Sequence, residues 1–160
     1  MALSTESILN VKRKTLAYLN SGTKGSPFAS AQFEQLFRYF AQHGQNPDLQ
    51  FVPIADLTAD VVAADAACKV YGIYLKKQAT GTDSYYKVFD DAATDSSAED
   101  AKIALPLLLS GERQVWINPE GLPMAAGLVH GAFTAIGGAA GTTASTSGDG
   151  PNGFVILGAA

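Results

Sequence analysis

Between Lys69 and Ala160, short apolar stretches recur along the chain, each set off from the next by a loop of small or polar residues. Strands at intervals of about ten residues, with turn signals between them, argue for an antiparallel sandwich or jelly roll rather than a helical or alternating α/β fold. CKVYGIYLKK reads as a strand, GTDS as a turn and YYKVFDD as the returning strand, followed by the polar loop AATDSSAED. KIALPLLL is apolar nearly throughout, so it is either buried on both faces or interrupted at Pro106. ERQVWINP alternates, with Val115 and Ile117 on one face and Trp116 on the other. GLPMAAGLVHGAFTAI supplies one or two further strands, GGAAGTTASTSGDGPNG a long small-residue loop, and GFVILGAA a closing strand. Upstream, LQFVPIAD and TADVVAAD begin the period of two at Leu49, and Pro53 suits an edge. No internal repeat is present. The expectation for residues 49–160 is a mainly β domain, an antiparallel β-sandwich of jelly-roll type.

Residues 1–48 follow a helical period. Ser4 or Thr5 is expected to cap a first helix carrying Ile8, Val11, Leu16 and Leu19, with Gly22 as its stop. Ser26-Pro27 places a capping hydroxyl before a proline at the first helical position of a second helix. There Phe33, Leu36, Phe37, Phe40 and Ala41 fall at i, i+3, i+4, i+7 and i+8, one face of a helix, until Gly44 and Asn46-Pro47 end it. Two helices of this size cannot build a core alone, so the phenylalanine stripe must dock on something. Packing on the first helix and the β-domain is one reading. Packing on another chain is the other, and it makes Phe33, Leu36, Phe37 and Phe40 the candidate interaction residues.

Composition narrows the function classes. Of the 160 residues, 47% are apolar and only 16% charged, which suits extensive protein contact or an ordinary extracellular β-domain. A net charge of −4 and scattered basic residues argue against nucleic acid, since the one basic run, Lys12 to Lys14, reads as a solvated helix face. Cys68 is the one cysteine and lies in an apolar stretch, so the fold needs no oxidising compartment and the residue reads as core. The N-terminus lacks the order of a signal peptide, and no apolar run reaches the roughly 20 residues of a membrane helix. The expectation is a product made soluble in a cytoplasm.

The candidates for chemistry are weak. Asp90-Asp91 follow a strand and read as a turn, and Glu112-Arg113 as an exposed charge pair or a subunit contact. His43 belongs to a helix C-terminus, while His130 stands alone among apolar residues as a structural histidine, and the two form no zinc signature. GDGPNG holds one carboxylate, Asp149, and reads as consecutive turns rather than a calcium loop. No serine occupies a nucleophile elbow, and GGAAG lacks the context of a phosphate loop. No catalytic residue, cofactor or metal is expected, and the chain is read as a non-enzyme. Tyr71, Tyr74, Tyr85, Tyr86, Phe89 and Trp116 are weighed as a sugar-stacking platform, against core filling or cross-strand pairing.

Taken in order, Tyr71-Gly72 in one strand, Asp90 closing the next, an apolar strand with Pro106 inside it, the run Gly121 to Leu128 and a Gly/Thr-rich loop before the last strand resemble small virion proteins of tailed bacteriophages. The resemblance covers residues 67–160 and carries over no functional residue. It implies that Gly72 and Gly121 serve close approach or turns, and that Leu107 and Leu109 are core. It further implies a decoration, or cement, protein on the capsid surface, bound to the major capsid protein, acting as a homotrimer with no nucleic-acid or membrane partner. Loops such as Gly137 to Gly153 would supply reach to a neighbour. A carbohydrate- or receptor-binding virion module and a neck or tail component are the alternatives.

Overall fold

The computed structural model describes residues 6–22, 25–57, 61–78, 83–93, 101–109, 111–133 and 150–160. Two helices, α1 (Ile8–Leu19) and α2 (Pro27–Gln42), precede eight strands among these residues. The strands are β1 (Leu49–Ile54), β2 (Val61–Ala64), β3 (Cys68–Lys76), β4 (Ser84–Phe89), β5 (Ile103–Leu107), β6 (Arg113–Met124), β7 (Leu128–Phe133) and β8 (Asn152–Ala159). They form two four-stranded sheets, ordered β1-β8-β3-β6 and β2-β7-β4-β5, with every pairing antiparallel. The fold is a mainly β sandwich with N-terminal helices. Its pairing is nested: β1 lies beside β8, β2 beside β7, β3 beside β6 and β4 beside β5, alternating between the sheets.

The three layers enclose two main cores, and Phe89, Val129 and Phe133 form a smaller third cluster on the outer face of the second sheet. Between the sheets, Val70, Ile73, Leu75, Val155 and Leu157 of the first meet Tyr86, Val88, Ile103, Leu107 and Leu128 of the second. On the opposite face of the first sheet, Tyr71, Tyr74, Phe154 and Ile156 pack against Val11, Leu19, Phe33, Leu36 and Phe40 of the helices. The helical segment therefore shares a hydrophobic core with the sheet beneath it. Strand alternation would send Val70 and Ile73 to opposite faces. They share one because the register slips between Val70 and Gly72, a bulge that turns Tyr71 toward the helices and leaves the strands on either side in phase.

Local chemistry explains most of the element ends. Ser26 Oγ accepts the Ala29 N–H at 3.4 Å with Pro27 opening the helix, as expected from the sequence. The first helix is capped two or three residues further on than its sequence suggests. Ser7 is the N-cap, its Oγ accepting from the Asn10 N–H at 3.3 Å, while Ser4 and Thr5 lie outside the described residues. Its buried stripe also differs: Val11, Thr15 and Leu19 face inward and Leu16 is only partly covered. Thr15 tolerates burial because its hydroxyl donates to the Val11 carbonyl at 2.7 Å. Pro53 lies on the edge strand β1, as read. Pro106 lies within β5 without interrupting it, because β5 is also an edge and an outward-facing ring displaces no ladder bond. ERQVWINP and GLPM join into the single strand β6, broken by an excursion at residues 118–121 where Gly121 takes φ +80°. Leu107 is buried, but Leu109 is 71% exposed in the turn after β5, so the core role implied for it does not hold.

Candidate functional site

The spacing of Phe33, Leu36, Phe37 and Phe40 brings them onto one face of α2, and this chain itself covers that face, leaving each at most 4% exposed. The Phe33 ring meets Phe154 edge-on with centroids 5.1 Å apart. It also lies over Gly72, where an added Cβ would come within 2.6 Å of its Cε1, so the glycine makes room for the ring. Phe40 meets Tyr71 at 5.4 Å and Phe37 at 6.2 Å, both edge-on. The four residues form the seam between the helices and the first sheet. A partner meeting the chain in this state touches the flanks of that seam.

Two grooves open there. One, of about 440 Å³, runs between α2 and β6 and is lined by Gln32, Gln35, Leu36, Tyr39, Val115, Ile117 and Pro119. The other, of about 490 Å³, lies between the start of α1 and the end of α2, where Ile8, Leu9, Phe37 and Ala41 line it beside Lys12 and Gln45. Leu9, 75% exposed on α1, stands at the rim of this second groove, while Phe28 at the start of α2 is 88% exposed and lines neither groove.

The titratable groups are mostly committed to turns. Asp90 accepts the N–H groups of Ala125 and Ala126 at 3.0 and 2.8 Å, fastening the end of β4 to the β6–β7 turn. Burial alone would raise its pKa, but the N–H groups of Ala126, Ala125 and Gly127, with the Lys102 charge, hold it below the usual aspartate range. We expect Asp90→Ala to cost about 1–2 kcal/mol, read as a lower urea midpoint with an unchanged slope. Glu112 is likewise a clamp rather than half of an exposed charge pair. Its Oε2 accepts from Leu108 and Leu109 N–H at 2.6 and 2.9 Å, and these bonds lower its pKa. Lys77, 4% exposed, donates to Asp83 at 2.7 Å and to the Leu108 carbonyl at 3.0 Å. Asp56, at φ +49°, accepts the Gly150 N–H at 2.8 Å and holds the β1–β2 turn to the entry of β8.

His43 caps α2 and stacks on Tyr39 with centroids 3.9 Å apart. His130 lies between the sheets, 3% exposed, its Nδ1 2.8 Å from the Tyr86 hydroxyl. Burial holds its pKa down to about 4, against an ordinary 6.5. Folding therefore favours the neutral ring. Its contribution is fully present above pH 6.5 and is lost as pH falls toward 4, at about 1.4 kcal/mol per pH unit and about 3 kcal/mol in all. Urea midpoints should fall across that window, and His130→Gln should flatten the fall. A wild-type midpoint unchanged from pH 7 to pH 4.5 would contradict this. Cys68 is fully buried, and burial pushes its thiol up to about 11. Lys87 is fully buried on the outer face of the second sheet, its Nζ 5.5 Å above the Phe133 ring and without a hydrogen-bond partner among the described residues.

Of the aromatic residues weighed as a sugar platform, Tyr71, Tyr74, Tyr86 and Phe89 are buried, while Tyr85 and Trp116 are partly exposed. Asp149 and most of the Gly/Thr-rich loop lie outside the described residues. Among the described residues no group of three or more His, Cys, Asp or Glu side chains is placed to share a metal ion. No family model, curated protein or solved structure matches this chain.

The sequence reading missed the β6 side of the first groove. Alternation puts Val115 and Ile117 on a common face, but nothing in the one-dimensional pattern tells that β6 ends the sheet and leaves that face half covered. It missed Phe28 too, because a residue five positions before Phe33 falls off the face of the apolar stripe.

Proposed function

We propose that this protein is a structural component of a bacteriophage virion, a decoration protein that stabilises the capsid through multivalent contacts with the major capsid protein. The strand order is the observation that carries this reading. Eight strands nested as β1/β8, β2/β7, β3/β6 and β4/β5 across two sheets support a jelly-roll reading, an architecture used by viral capsid proteins as well as by lectins and cupins. Fold alone does not choose among these. Three features favour the structural role: the space between the sheets is filled mostly by apolar side chains, Asp90, Glu112 and Asp56 are spent on tying turns, and apolar side chains are exposed at separated points on the helices and turns. Rigid layers with several small contact points suit a protein whose attachment is held by avidity.

A threefold assembly would multiply those contacts, and light scattering after size exclusion tests for it. The expected mass is three times the 16.7 kDa of the chain at every concentration. A monomer throughout would overturn the trimer. A glycan-binding virion module is the second reading, favoured by the partial exposure of Trp116 and Tyr85. Saturable quenching of Trp116 fluorescence by an oligosaccharide would select it.

A further inference from the structure

We propose that β6 is an acceptor edge, which binds an extended segment of another protein by strand addition, with alternate side chains of that segment entering the groove beneath α2. The inference stands on edge geometry and does not require the virion reading.

The first sheet has two edges, and they are protected differently. At β1 the backbone of Glu6 bridges to Leu49, donating to its carbonyl and accepting its N–H, and Pro53 removes a donor further along. At 12 residues, β6 is longer than any other described strand, and among the described residues it pairs only with β3. Its devices against unwanted pairing are concentrated at one end: the excursion at residues 118–121, Pro119, Glu120 and Pro123. The stretch from Arg113 to Ile117 is in unbroken register with β3 from Lys76 to Gly72 and holds no proline or bulge. Regular edges of this kind keep a row of N–H and C=O groups free for another strand.

The surface beside this edge fits the same occupant. Val115 and Ile117 point toward α2 and are only partly buried, although both belong to the helix–sheet core. With Leu36, Tyr39, Gln32, Gln35 and Pro119 they line a groove, and among these described residues none is charged. Side chains two apart on an added strand would face it, so the segment is uncharged at those positions. Exposed Arg113 and Glu120 mark the two ends. A segment running antiparallel to β6, like every other pairing in the sandwich, is complementary when a basic residue precedes its apolar run and an acidic residue follows it.

The probe is the blocked peptide KTVTVTE, whose valines fall opposite Val115 and Ile117 and whose glutamate falls opposite Arg113, added to the protein and followed by amide exchange and chemical-shift mapping. In the free protein, outward-facing amides within residues 113–117 should exchange faster than those of the central strands β3 and β8. The peptide should bind saturably, slow those amides, and shift Leu36 and Tyr39. Proline at the peptide's centre should abolish the effect. Val115→Lys, which puts a charge into the groove at a half-covered site, should weaken binding by about tenfold or more. The unmodified melting temperature of that variant is checked alongside, and Ile117→Thr is the milder replacement should Val115→Lys fail to fold. Slow exchange at 113–117 in the free protein would overturn the proposal, as would shifts mapping elsewhere or no saturable binding. A dimer formed through this edge would also overturn it, since the occupant would then be a second copy.

Discussion

Replacing Phe154 with alanine should cost about 3–5 kcal/mol, a large share of the stability a domain of this size possesses. The ring lies at the centre of the helix–sheet core and is fully buried. Four aromatic rings surround it: Tyr18 at 5.3 Å, Phe33 at 5.1 Å, Phe51 at 4.9 Å and Tyr74 at 5.6 Å. Those neighbours come from α1, α2, β1 and β3, and β8 itself runs between β1 and β3. Truncation thus opens a cavity that no single element can close by shifting. The urea midpoint should fall by an amount matching that cost with the denaturant slope unchanged. A loss under about 1 kcal/mol would mean that the helices are not seated on the first sheet as described.

Phe37→Asp is expected to do comparable or greater damage by a different route. It removes a ring that is 4% exposed and packs edge-on against Phe40, and it adds a carboxylate to an apolar seam. The loss of the ring alone is worth about 3–5 kcal/mol. The groove between α1 and α2 borders Phe37, so the charge has a path toward water and its desolvation cost is partial. Circular dichroism should report helix loss at a temperature where the wild type is intact. Wild-type melting, mass and capsid attachment in this variant would show that the stripe does not need to be dry.

Much of the architecture was legible because its signals are local. The Ser26-Pro27 cap, the stripe from Phe33 to Phe40 and the split of Val115 and Ile117 from Trp116 each follow from spacing within a few residues, and the structure places all three as read. What could not be read depends on partners distant in sequence. The central place of β8 between β1 and β3 rests on pairings such as Leu49 with Gly158, which no local pattern specifies. Pro106 leaves two readings open in sequence because its cost depends on whether β5 has one neighbour or two. The Tyr71-Gly72 bulge hides for a related reason. Glycine in a strand can mark a bulge or a close approach, and here it marks both, but the approaching group is Phe33 on a helix far upstream. Of the candidate site, sequence located the apolar stripe but not which side of it remains open, because exposure is a property of the assembled sheet edge.

The most direct measurement of the central claim is co-sedimentation with capsids assembled from the major capsid protein of the same genome. The account predicts saturable binding at a fixed ratio to capsid subunits, together with a higher temperature of capsid disruption. Protein that stays in the supernatant at saturating concentration, with capsid stability unchanged, would contradict it.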